Sequence, residues 1–206
     1  MPFLLLLVLL SGLLHITGLY VKSPSLKMVF KPLTTLLIIF FAFRQNGPET
    51  YKTLILAGLF LSLAGDIFLM LPRERFVAGL VSFLLAHFFF IAAFVYSHGP
   101  FLNWIYLTPV FVYFVLFLNV LWKHTGKMSV PVGIYALVLL LFLWQAAGRY
   151  DFFHSDTALF GLWGALLFVL SDSLLAYNKF VKPLKWAPAT LMVLYWSALY
   201  LLTLSI

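Results

Sequence analysis

The sequence predicts an all-α integral membrane protein: a single bundle of eight transmembrane helices with both termini non-cytoplasmic. Three observations lead there. Of the 206 residues, 64% are hydrophobic and 9% are charged, with mean hydropathy +1.08, whereas soluble folds carry roughly 25% charged residues. The apolar residues form continuous runs near the ~20-residue length a helix needs to span the hydrocarbon core, not the alternating ~10-residue segments of a membrane barrel. The basic residues gather at one face. Lys22, Lys27, Lys31, Arg73, Arg75, Lys123, Lys127, Lys179, Lys182 and Lys185 mark it, against Arg44, Lys52 and Arg149 at the other. By the positive-inside rule, the connections after helices 1, 3, 5 and 7 are then cytoplasmic. A multi-pass protein of the bacterial inner (plasma) membrane is the expectation.

The apolar runs are read as helices at 3–20, 27–43, 53–71, 76–97, 102–122, 130–148, 157–177 and 187–205, one polytopic domain spanning 1–206. Short connections predict that sequential helices pack as antiparallel neighbours. Residues 1–14 contain no Lys or Arg, so the first run lacks the positive n-region of a signal peptide and is read as a spanning helix. It carries His15, expected to make an interhelical hydrogen bond. The second opens near Lys27, with Pro32 placed in a first turn that needs no amide donor. Lys31 either snorkels to the interface or points inward. The third holds Ser62 one turn from Asp66 on the same face, with Gly58, Ala64 and Gly65 as small surfaces for close helix contact. After the charged turn Pro72-Arg73-Glu74-Arg75, the fourth brings Gly79, Ser82 and His87. The fifth is almost wholly aromatic and aliphatic and reads as lipid-facing scaffold. Tyr135 lies near the basic end of the sixth. The segment from Arg149 to Asp156 reads as an exposed, solvated outer loop. The seventh holds Ser171-Asp172-Ser173, and the eighth an aromatic face of Tyr195, Trp196 and Tyr200 that lines a cavity or sits among lipids.

An ionisable group inside the bilayer costs at least ~2.5 kcal/mol and is a functional candidate by default. A rise of ~1.5 Å per residue places Lys31, Asp66 and Asp172 roughly 10–12 Å from their turns, in one layer on the basic side. His15 and Tyr135 come out at roughly 14 Å and His87 at roughly 20 Å. The functional reading is a carboxylate pair, with Lys31 beside it, in a pocket opening to the cytoplasm. Two like carboxyls in unlike surroundings can serve as acid and base, and the basic rim suits an anionic group such as a phosphate. For Lys31, pairing with one aspartate is the structural alternative, since buried charges are normally paired. No Gly-x-Ser-x-Gly elbow and no His-Glu-x-x-His motif is present, so classical serine-hydrolase and zincin chemistry lacks support. Cysteine is absent, which excludes disulfides and thiolate chemistry.

Gly65-Asp66 followed by Phe76, Gly79, Phe83 and His87, then Gly164-Ala165-Leu166-Leu167-Phe168-Val169-Leu170-Ser171-Asp172, with Lys31-Pro32 upstream, resembles the YhhN family of membrane proteins, which includes lysoplasmalogenases. The resemblance spans the chain in length and helix count. One departure lies in the last helix. The family often has a Tyr-Tyr pair followed shortly by Gln, whereas this chain reads Tyr195-Trp196-Ser197-Ala198-Leu199, so no role for that Gln carries over. The resemblance implies hydrolysis of the vinyl ether of a lysoplasmalogen to a fatty aldehyde and a glycerophospho-alcohol. It implies Asp66 and Asp172 as the acid/base pair and Lys31 as electrostatic partner or phosphate ligand, with His87 orienting water. Tyr135, Tyr195, Ser62 and Ser171 are the further substrate-facing candidates. The implied partner is a lysophospholipid within the membrane. No cofactor, metal or nucleic acid is implied. The alternative reading is a proton-coupled transporter or channel in which the same aspartates carry the ion. The like orientation and flanks of the Asp66 and Asp172 helices would then reflect an old duplication.

Overall fold

The structure is a computed structural model that describes residues 2–71 and 75–206. The turn residues Pro72, Arg73 and Glu74 lie outside the described residues. About 88% of the chain is helical, and no strand occurs among the described residues. The α-helices are α1 (Pro2–Tyr20), α2 (Pro24–Phe43), α3 (Glu49–Met70), α4 (Phe76–His98), α5 (Trp104–Thr125), α6 (Ser129–Phe153), α7 (Asp156–Ala176) and α8 (Ala187–Leu204). Seven stretches are long and apolar enough to cross a membrane, because α5 and α6, joined through a short 3-10 turn at Gly126–Met128, count as one stretch from Trp104 to Phe153.

Local chemistry sets the ends. Ser23 caps α2 by accepting a hydrogen bond from the Leu26 amide, and Pro24 occupies the first helical position, where a missing N–H costs nothing. This earlier start corrects the expected position of Pro32. It lies inside α2 and not in its first turn, so the carbonyl of Met28, four residues back, loses its intrahelical donor. Asn103 and Ser155 cap α5 and α7 in the same way. Gly99 ends α4 at φ 85, and Gly126 ends α5 at φ 50, conformations glycine adopts without steric cost. Beyond α7 the chain continues as a π-helical turn, Tyr177–Val181.

Packing is closest between α3 and α4 and between α7 and α8. A Cβ on Gly65 would stand 2.7 Å from the Phe83 ring, and one on Gly164 would stand 3.1 Å from the Ala198 carbonyl oxygen. Small residues at these points let the backbones approach, as membrane interfaces require. Aromatic rings fill the centre: Phe90, Phe94, Phe142 and Phe168 are fully buried, with Phe94 and Phe142 stacked at 5.7 Å. Large apolar side chains also cover the outside, including Phe3, Phe40, Trp104, Ile105, Leu116 and Trp163. On α5 only Phe114, Leu121 and Thr125 are buried, in keeping with a helix that faces lipid. Polar groups turn inward and pair between helices, as in Ser11 with Thr34 at 2.7 Å, Tyr51 with Ser205 at 2.8 Å and Tyr113 with Ser173 at 2.8 Å.

One expectation is overturned at the end of α6. The segment read as a solvated loop from Arg149 is helical as far as Phe153, and Arg149 is buried. Its guanidinium donates to the carbonyls of Thr157 and Ser205, each at 3.0 Å, and lies 4.7 Å from the centre of the Tyr51 ring. Two of these partners, Tyr51 and Ser205, lie far away in sequence, which is why a local reading of the segment misses the burial.

Candidate active site

At the end of the bundle marked by the α1–α2 and α7–α8 turns and by Met70 and Phe76 of α3 and α4, a cavity of about 480 Å³ runs inward from Pro24, Lys27 and Asn178 to Lys31, Asp66 and Asp172. This is the face that carries most of the lysines. The cavity walls come from α1 through His15, α2 through Lys27, Met28 and Lys31, α3 through Asp66, α7 through Ser171 and Asp172, and α8 through Tyr195.

Lys31 points inward. Its Nζ lies 3.1 Å from Asp66 Oδ1. The other oxygen of Asp66 accepts hydrogen bonds from Thr35 Oγ1 at 2.8 Å and Tyr195 Oη at 3.0 Å. Thr35 in turn accepts from the Trp196 indole N–H at 3.3 Å. Asp66 is therefore held by an ammonium and two hydroxyls from α2 and α8 while α3 supplies the carboxylate. Ionised carboxylates are acceptors only, and an ion-paired cation with two hydroxyl donors suits one that is taken out of water.

Asp172 stands in different surroundings. Among the described residues its side chain has one hydrogen-bond partner, the Tyr135 hydroxyl, which donates to Oδ2. It is 9% exposed and faces the cavity. It also borders a second, smaller cavity of about 40 Å³ between α4, α5, α6 and α7.

The remaining sequence candidates divide. Tyr135 and Tyr195 each hold one aspartate. Ser171 lines the wide cavity and donates to the Leu191 carbonyl at 3.2 Å, joining α7 to α8. Ser62 is buried one turn from Asp66 but lines neither cavity, and its Oγ has no hydrogen-bond partner among the described residues. His87 also lines neither cavity. Its Nδ1–H donates to the Phe83 carbonyl at 2.6 Å, and its ring sits in an aromatic box formed by Phe168 at 4.5 Å, Phe142 at 5.0 Å and Tyr135 at 5.6 Å. His15 donates from Nδ1 to the Lys27 carbonyl at 3.2 Å, the interhelical bond expected of it, and forms part of the cavity wall.

One participant escaped the sequence reading. Thr35 is the nearest hydroxyl to Asp66, and Trp196, expected only as part of an aromatic face, orients it. The spacing of Lys31 and Thr35, one helical turn apart on α2, was the available signal. Among the described residues no group of three His, Asp or Glu side chains is placed to hold a metal ion.

The YhhN family model matches residues 26–206. The human protein named lysoplasmalogenase TMEM86B is 31% identical over 181 residues, covering 85% of this chain and 73% of its own length. The Escherichia coli O157:H7 protein named uncharacterized membrane protein YhhN is 28% identical over 163 residues, covering 79% of this chain and 78% of its own. Bovine lysoplasmalogenase TMEM86A is 29% identical over 157 residues, covering 74% and 65%. No solved structure matches the chain. With apolar helices of spanning length and membrane-protein relatives, this is an integral, multi-pass membrane protein. Matched from the second helix to its last residue by one family model, the chain belongs to the YhhN family.

Proposed function

We propose that this protein hydrolyses the vinyl ether bond of a lysoplasmalogen to give a fatty aldehyde and a glycerophospho-alcohol such as glycerophosphoethanolamine or glycerophosphocholine. The observation that carries the reading is a single cavity walled by two carboxyls in unlike settings, Asp66 with an ion-paired lysine and two hydroxyl donors and Asp172 with one hydroxyl donor. Relatives named as lysoplasmalogenases supply the substrate class.

The roles follow from those settings. Asp172, as the carboxylic acid, gives its proton to the β-carbon of the vinyl ether. The carbon–carbon π bond breaks, and an oxocarbenium ion forms at the carbon bonded to oxygen. Asp66, ionised beside Lys31, faces that cation and accepts a proton from the water that attacks it, giving a hemiacetal. The hemiacetal loses its hydroxyl proton, the carbon–oxygen bond to glycerol breaks, and the departing oxygen is protonated. One water is consumed, and the proton on Asp66 returns to Asp172 through solvent. A cavity of about 480 Å³ with a polar wall has room for that water. Tyr135 and Tyr195 fix the two carboxyls, and His87 acts through its contact with Tyr135. Lys27, one turn nearer the mouth than Lys31, faces the phosphate. In this reading all eight helices cross the membrane as one domain, and the cavity opens to the cytoplasmic side of a bacterial inner membrane.

Purified protein in detergent, given alkenyl lysophosphoethanolamine, is expected to release aldehyde without any membrane gradient, and to release none from the alkyl-ether analogue. Asp66→Asn and Asp172→Asn are each expected to lower turnover by at least ~10²-fold while the protein stays folded. No aldehyde from the wild type overturns the proposal and favours ion or lipid transport. Near-normal turnover in either variant removes that residue from the chemistry.

A further inference from the structure

The small cavity on the far side of Asp172 has no part in the chemistry above. Its walls include Leu80 from α4, Phe114 and Leu121 from α5, Ala136 and Leu139 from α6, and Phe180 from the π-helical turn beyond α7. Five residues border both cavities: Leu69, Phe76, Phe83, Asp172 and Leu175. Asp172 is the one polar side chain among those five. The other hydroxyls on the small cavity's wall are already committed, Tyr135 to Asp172 and Ser173 to Tyr113. What remains for a guest is an apolar surface.

We infer that this cavity receives the alkenyl chain of the substrate and selects its length and branching. The inference rests on the vinyl ether reading. In such a substrate the carbon to be protonated is where the hydrocarbon chain begins, next to the oxygen that leads to glycerol and phosphate. The group that protonates it must therefore stand where a polar compartment meets an apolar one, and Asp172 stands there. The head group occupies the wide cavity among His15, Lys27 and Asn178, and the chain passes Asp172 as Leu69 or Phe76 turns aside. At about 40 Å³ the second cavity is too small for a head group and admits the first few carbons of a chain, those beside Asp172. Its far wall belongs to α5, most of whose large side chains are exposed, so the end of a long chain continues toward lipid.

The test compares hexenyl and hexadecenyl lysophosphoethanolamine, and a methyl-branched chain, by aldehyde release from purified protein. Ala136→Phe fills the slot and is expected to lower kcat/KM for the hexadecenyl substrate relative to the hexenyl one by about tenfold or more, the scale on which apolar pockets discriminate chain groups. Leu139→Ala widens it and is expected to raise the branched-to-straight ratio, a gain that a merely damaged protein does not produce. If wild type is active and neither ratio moves in either variant, the chain lies elsewhere and the inference falls. If Ala136→Phe does not fold, the Leu139→Ala ratio decides alone. A wild type that releases no aldehyde from any chain overturns the vinyl ether reading itself, which is a different result.

Discussion

Replacing Lys31 by Met removes the ammonium that stands 3.1 Å from Asp66 Oδ1 and leaves a 1%-exposed carboxylate without its cation. Breaking a buried ion pair by deleting one partner costs about 3–5 kcal/mol. Asp66 keeps two hydroxyl donors, Thr35 and Tyr195, and borders a cavity of about 480 Å³ with room for water, so the expected loss lies at the lower end, about 3 kcal/mol. Asp66→Asn alone costs less, about 1–2 kcal/mol, because Lys31 can turn its ammonium toward the cavity mouth and water. The double variant Lys31→Met/Asp66→Asn carries no buried charge at this point. Its loss should therefore fall short of the sum by about 2 kcal/mol, a coupling typical of residues in contact. Unfolding free energies in mixed micelles measure all four corners of the cycle, and aldehyde release runs alongside. The double variant should thus be about as stable as Lys31→Met alone, about 2–3 kcal/mol below the wild type, and turnover stays lost because the carboxylate is gone. A coupling within about 0.5 kcal/mol of zero would refute the reasoning, because separate sites add to that precision.

Two further outcomes are expected. Arg149→Met deletes two hydrogen bonds from a cation to the carbonyls of Thr157 and Ser205, and should lower stability by about 2–3 kcal/mol in the same micelle assay, while turnover per folded molecule is unchanged. A cysteine replacing the exposed Lys182 should resist an impermeant maleimide in intact cells and react after lysis; labelling of intact cells would reverse the orientation drawn from the basic residues.

The sequence was most informative where a residue was out of keeping with its surroundings. Lys31, Asp66 and Asp172 are costly inside apolar helices, and helical rise alone assigned them a common depth; in the structure they line one cavity. The inward choice for Lys31 was not legible, since snorkelling and pairing fit the same position; the approach of α3 to α2 decides it. Thr35 was passed over because threonine in an apolar helix is unremarkable until a carboxylate is placed beside it. His87 drew attention by type, yet its neighbours Phe142, Phe168 and Tyr135 come from α6 and α7, and no spacing within α4 foretells such a box. Arg149 illustrates the same limit, because Tyr51 and Ser205 reach it from α3 and from beyond α8.

The division of Asp66's partners between α2 and α8 bears on how the chain is made. Lys31 and Thr35 emerge from the ribosome before the carboxylate does, and Tyr195 emerges long after it. A lone Asp or Lys near the centre of a helix opposes translocon insertion by about 2.5–3.5 kcal/mol. Entering together as an α2–α3 hairpin, the two charges offset each other at the first moment either meets lipid, and the hydroxyl of Thr35 is already in place. The arrival of α8 then closes the last side of the carboxylate. Biogenesis of the site is in this sense ordered by the numbering of its residues, with the cation first, the anion second and the tyrosine last.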